Sequence, residues 1–141
     1  MFGLVRKLSS RLIVPAGWTF LTILLLSLPG SAIPEVNLYE IPHVDKLVHF
    51  LLFGGIPVFW SFYLIPRKGR ARRIVVIACL VSIALGIVME YIQHYFVANR
   101  DFDIIDIYAD SLGAISFGVL VLLSVRRRDA IEPVPRTQSS N

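Results

Sequence analysis

The chain has 141 residues, 55% of them hydrophobic and 17% charged, with a mean hydropathy of +0.68. Its apolar residues fall in long runs rather than the short alternating blocks of a soluble core, so a soluble globular enzyme is excluded and the bilayer is the solvent to reason in. A lone cysteine, Cys79, rules out an intrachain disulfide, and the net charge of +4 takes its meaning from where the charges lie.

A hydrocarbon core roughly 30 Å thick needs about 20 apolar helical residues. Four stretches qualify, 13–32, 47–65, 74–93 and 107–125, and predict an all-α fold: a polytopic four-transmembrane-helix bundle forming a single domain over residues 1–128. The first segment, with Gly30, Ser31 and Ala32 at its end, has a second reading as a cleaved signal peptide. Its length, Pro15 and Gly17 favour a retained helix. A short loop from Pro34 to Val44 leads to the second span, where Gly54, Gly55 and Pro57 predict a kink or close packing. Any backbone group freed there needs a partner. Short loops over 66–73 and 94–106 lead to the third and fourth spans, and residues 129–141, rich in Pro, Ser and Thr, read as a disordered cytoplasmic tail. Trp18, Trp60 and Tyr63 at one set of ends, and Tyr39, Tyr91 and Tyr95 at the other, suit the two interfacial belts.

The basic residues sort by side. Arg6, Lys7 and Arg11 precede the first span, Arg67, Lys68, Arg70, Arg72 and Arg73 fill the second loop, and Arg126, Arg127, Arg128 and Arg136 follow the last, twelve of the 14 in all. The positive-inside rule makes that side cytoplasmic and both termini with it. Lys46 and Arg100 remain on the outer side, with eight of the ten carboxylates. The basic tracts therefore read as topology signals and anionic-lipid contacts, and no nucleic-acid partner is expected.

Ionisable residues in or beside a span cost free energy, so their clustering is informative. Asp45, Lys46 and His49 open the second span, Glu90, Gln93 and His94 close the third, and Asp106 and Asp110 open the fourth. All three places are outer ends. Asp45 with His49, Glu90 with His94, and Asp106 with Asp110 are i,i+4 pairs that share a helical face. The small-residue steps Ser82, Gly86, Glu90 and Asp110, Ala114, Gly118 mark faces where helices approach closely, so the charged ends should point into the bundle. A polar pocket open to the outer surface, walled by the second, third and fourth helices, is the expectation. Simpler roles stand beside it. Asp45 and Asp103 suit helix starts, His49 can bond to Asp45, Glu90 can pair with Lys46 or Arg100, and Gln93 can be an interhelical hydrogen-bond partner. Arg100 can pair with Asp101 or Asp106, or reach an anionic head group.

The segments DKLVHF, GIVMEYIQ and NRDFDIIDIYADSLGA, in this order over about residues 43–120, resemble the VanZ-like membrane proteins. The residues that carry the resemblance are Asp45, Lys46, His49, Glu90, Gln93, Arg100, Asp106, Gly113 and Ala114. Asp110 departs from it, since relatives usually carry asparagine there. The resemblance implies a small bacterial membrane protein of a family linked to teicoplanin resistance; it supplies no reaction.

Three classes of function follow. In the first, Asp45, Lys46, His49, Glu90, Gln93, Arg100, Asp106 and Asp110 bind an amphiphile: an envelope lipid, a cell-wall precursor or a lipid-tailed glycopeptide. In the second the same pocket is catalytic, with Glu90 or His49 as general acid or base and Asp106 positioning a partner, in a hydrolase or transferase acting on a head group. A proton- or ion-linked carrier is the third, and it lacks a polar path through the inner halves of the spans. A structural subunit contacting a membrane-protein partner is the plain alternative. The carboxylates of Asp106 and Asp110 need neutralising, by Arg100 or Lys46, by a shared proton, or by a divalent cation on His49, Glu90, Asp106 and Asp110.

Overall fold

Long apolar segments satisfy their backbone in a membrane by closing hydrogen bonds within a helix. Accordingly the chain forms four α-helices in the computed structural model: α1 Phe2–Leu26, α2 Val44–Lys68, α3 Ala71–Phe96 and α4 Ile104–Ile131. The structure describes residues 2–29, 44–68 and 70–131, without the side chains of 2–11, 67–68 and 128–131.

Among the described residues, three helices are long and apolar enough to cross a membrane, over Val44–Pro66, Ala71–Phe96 and Ile104–Arg127. The first helix, α1, runs over Phe2–Leu26 with an apolar part over Leu12–Leu26 among the residues whose side chains are described, and it ends six residues before the expected span over 13–32 does. The helix ends because the Ser27 N–H turns back to the Ile23 carbonyl at 3.0 Å and that of Leu28 to Leu25 at 3.3 Å; Pro29 has no N–H with which to continue. The supposed cleavage site at Gly30 to Ala32 and the loop carrying Glu35, Tyr39 and Glu40 lie outside the described residues. At the other terminus α4 runs on to Ile131, past the boundary at 128, and residues 132–141 lie outside the description.

Apolar side chains gain little by leaving lipid for a protein interior, so contact between the helices depends on close approach and polar ties. Contact is most extensive between α2 and α4, then α3 with α4 and α2 with α3, while α1 lies mainly against α2. Gly113 permits the first: a Cβ there would fall on the Phe50 backbone carbonyl of α2. Gly86 permits the second, because a Cβ there would lie 2.7 Å from Asp110 Oδ2. Ser82, Gly86 and Glu90 on α3, and Asp110, Ala114 and Gly118 on α4, are all buried. The Cys79 thiol adds a tie, donating to the Ala114 carbonyl at 3.2 Å.

Pro57 leaves the Phe53 carbonyl without the N–H that would normally close the helical turn. Ser82 replaces it from α3, donating its hydroxyl to that carbonyl at 2.9 Å. Two indoles fasten α1 to α2. Trp18 Nε1 donates to the Leu52 carbonyl at 2.9 Å, its ring filling the space left by Gly55, and Trp60 Nε1 donates to Thr19 Oγ1 at 3.1 Å. Below these ties Leu26, Leu52, Phe53, Ile56 and Met89 form a buried apolar cluster.

Candidate functional site

The starts of α2 and α4 and the end of α3 meet at one end of the bundle. Asp103 builds the start of α4: its Oδ1 accepts the Ile105 N–H at 2.8 Å, satisfying a donor that helix geometry leaves free. The connection before it turns at Asn99, whose φ of 61° is a left-handed conformation that asparagine tolerates. This turn carries Arg100 and Asp103 back over α2.

The polar side chains form two layers. In the outer, half-buried layer Lys46 Nζ lies 2.6 Å from Asp103 Oδ2, 2.8 Å from Asp106 Oδ1 and 3.4 Å from Asp45 Oδ2. Arg100 approaches Asp45 Oδ1 at 3.6 Å. Both outer cations thus face carboxylates of the chain itself. Asp103 lies outside the spans, and the Lys46 ammonium, helped by the Ile105 N–H, holds its carboxyl below the usual carboxylate range.

The inner layer consists of His49, Glu90, Asp106 and Asp110, with relative exposures of 1%, 1%, 4% and 1%. His49 Nδ1 lies 3.0 Å from Asp110 Oδ1, and Nε2 lies 4.0 Å from Asp106 Oδ2 without a hydrogen-bond partner. Glu90 accepts the Asp103 backbone N–H on Oε1, while Oε2 is buried and unpartnered. Among the described residues no basic nitrogen lies within 4.0 Å of the Glu90 carboxylate; the pairs with Lys46 or Arg100 considered from the sequence are not formed. A bond between His49 and Asp45 is replaced by one to Asp110, because Gly86 lets the Asp110 carboxylate sit against α3 facing the imidazole.

Seven of the eight residues singled out from the sequence meet in these layers. Gln93 stands apart: its Nε2 donates to the Leu26 carbonyl at 3.0 Å, which anchors the end of α1. Asp103 is the residue that sequence reasoning left at a helix start. Its side chain also neutralises Lys46, and its N–H holds Glu90. The polar groups of the inner layer are buried against one another. A groove of about 710 Å³ opens at the opposite, basic end, lined by Ile56, Trp60, Arg70, Arg73 and Ile74. Among the described residues, the donors that could hold a metal ion together are Asp45, His49 and Asp106, with one ligand atom from each lying within 4.8 Å of the others.

Three long apolar helices that hold carboxylates and an imidazole buried at a common end define a small polytopic membrane protein with a polar centre between its helices. The model of the VanZ/LLP1 family matches residues 7–126, and the chain belongs to that family. The match takes in α1 as well as the three long helices. No curated protein and no solved structure matches the chain.

Proposed function

We propose that this chain is a bacterial cytoplasmic-membrane protein whose acidic end faces outward, with both termini in the cytoplasm, and whose polar cluster recognises the head group of an amphiphilic envelope component. An envelope lipid, a cell-wall precursor and a lipid-tailed glycopeptide of the teicoplanin type share that chemistry. The observation that carries the reading is that His49 Nε2 and Glu90 Oε2 are among the buried atoms without a hydrogen-bond partner. Buried polar atoms are ordinarily satisfied, and these two lie beneath a layer of long cationic side chains that can exchange partners. An anionic head group would compete with Asp45 and Asp103 for Lys46 and Arg100 and reach the imidazole below. Family membership supports a link to glycopeptide resistance.

The test is unfolding of the protein in lipid nanodiscs with teicoplanin, with an undecaprenyl-linked cell-wall precursor, and with phosphatidylglycerol. Ligand at a hundredfold excess over Kd stabilises by about 2.7 kcal/mol. The reading predicts such a gain with one of these and its loss in Lys46→Met; no gain with any of them contradicts it.

The Asp110–His49 pair supports a second reading. A carboxylate orienting an imidazole whose other nitrogen is unbonded is the arrangement of a general base. It would serve a membrane-embedded hydrolase or transferase acting on a head group, and turnover of the precursor that disappears in His49→Gln would establish it. The Cys79 thiol is no nucleophile for this site, since it is bonded to the Ala114 carbonyl between α3 and α4.

A further inference from the structure

His49 sits between two carboxylates and can bond directly to one of them. At 3.0 Å from Nδ1, Asp110 Oδ1 is at hydrogen-bond distance. An ionised carboxylate only accepts, so the proton of a neutral imidazole is on Nδ1. Nε2 then carries its lone pair, and it faces Asp106 Oδ2 across 4.0 Å. That separation is too long for a hydrogen bond. His49 Nε2 is buried without a hydrogen-bond partner, and it stays unsatisfied unless a donor or a cation lies between it and Asp106.

The gap is near the upper limit of what two ligands of one cation span, so the donors would draw together on an ion. With metal–nitrogen and metal–oxygen bonds of about 2.0 to 2.2 Å, two ligands of one ion stand about 3.4 Å apart at a tetrahedral angle and about 4.2 Å apart when opposed. Asp45 brings the third donor, since one atom each from Asp45, His49 and Asp106 lie within 4.8 Å of one another. We propose that His49 Nε2, an Asp106 carboxylate oxygen and an Asp45 carboxylate oxygen form a binding site for one divalent cation of the zinc class at the acidic end of the bundle. The imidazole donor favours zinc-like ions over magnesium or calcium. Asp110 is the outer carboxylate that fixes the tautomer and orientation of a ligating histidine. Asp106 can serve both neighbours, holding Lys46 on Oδ1 and the ion on Oδ2.

Charge balance points the same way. Asp45, Asp103, Asp106, Asp110 and Glu90 gather around Lys46 and Arg100, which leaves the cluster short of positive charge. The ligand set differs from the one the sequence suggested: Asp110 is committed to Nδ1, Glu90 to the Asp103 N–H, and Asp45 takes their place.

The inference uses the cluster on which the proposed function rests but needs no amphiphile. Purified protein in nanodiscs, stripped with chelator, is dialysed against zinc, and metal per chain is measured together with thermal stability. The expected result is one equivalent retained and a raised melting temperature, with retention lost in both His49→Gln and Asp106→Asn. Asp110→Asn keeps the oxygen acceptor but not the charge and should weaken retention 10- to 100-fold. Glu90→Gln should retain the metal as wild type does. Wild type that retains no zinc overturns the proposal without reference to any variant, and so does equal retention by wild type and His49→Gln. Lipid or teicoplanin binding by chelator-treated protein that takes up no zinc would sink the metal site and leave the proposed function standing. One zinc per chain with no amphiphile bound would do the reverse.

Discussion

Lys46 is the hinge between the two polar layers, and its removal has a cost that can be worked out contact by contact. Lys46→Met keeps most of the aliphatic stem and removes the charge. Asp45 and Asp103 have side chains 37% and 36% exposed, so water takes over when the ammonium goes. Such solvated pairs contribute at most about 1 kcal/mol each. Asp106 differs, with a side chain 5% exposed and Lys46 Nζ at 2.8 Å. Breaking a buried pair from one side costs about 3 to 5 kcal/mol, and the partial exposure of the lysine puts this one near the lower figure. The expected loss is therefore about 3 kcal/mol, dominated by Asp106. Asp106→Asn in the Lys46→Met background should recover about 2 kcal/mol, because the stranded charge is then gone. Equilibrium unfolding of the four proteins of this cycle in mixed micelles measures both quantities. A loss below about 1 kcal/mol with no coupling to Asp106 would refute the reasoning, since it would mean that water reaches Asp106 freely.

Other parts of the structure predict more local effects. Gly86→Ala places a Cβ 2.7 Å from Asp110 Oδ2 and should destabilise by about 1 to 3 kcal/mol in the same assay. Gly113→Ala meets the rigid backbone carbonyl of Phe50 and should be worse. Ser82→Ala strips the Phe53 carbonyl of its substitute donor and should cost about 1 kcal/mol. That cost should fall toward zero in a Pro57→Ala background, which restores the backbone N–H. The lowered pKa of Asp103 sets a sign: its charge adds stability above the ordinary carboxylate pKa, and that gain is lost as pH falls through the lowered folded value. Unfolding curves between pH 6 and pH 2 should therefore show a shallower acid limb in Asp103→Asn than in wild type.

The three long spans were legible because hydropathy over some 20 residues reports the thickness of a bilayer directly. The common depth of Asp45, His49, Glu90, Asp106 and Asp110 was legible for the same reason: every polar residue in a span stands out against its neighbours. Partner choice was not. The i,i+4 spacing of Asp45 and His49 puts them on one face, yet Asp110 holds the imidazole because Gly86 admits its carboxylate from the neighbouring helix. Interhelical geometry of that kind leaves no periodic trace in one sequence. Pro57 announced a freed carbonyl, and only the packing of α3 on α2 identified Ser82 as its donor. The end of α1 was missed because residues 27–32 bring no charge to mark a boundary, although the backbone has already turned at Ser27 and Leu28. Gln93 takes the interhelical hydrogen-bond role read for it beside the ligand reading, and only the packing identified the Leu26 carbonyl of α1 as its acceptor.

Whether the inner layer is kept for recognition or for stability is decided most directly at Glu90. Glu90→Gln retains an oxygen to accept the Asp103 N–H and removes only the charge, so its stability reports what that charge does. A carboxylate without a cationic partner, held between helices, is a cost to the fold that a functional site sustains. Unfolding of wild type and Glu90→Gln side by side in nanodiscs should find the variant at least as stable, with the stabilisation by the amphiphile reduced or lost. A variant weaker by about 3 kcal/mol or more would contradict the account, because it would show a charge paired for structure.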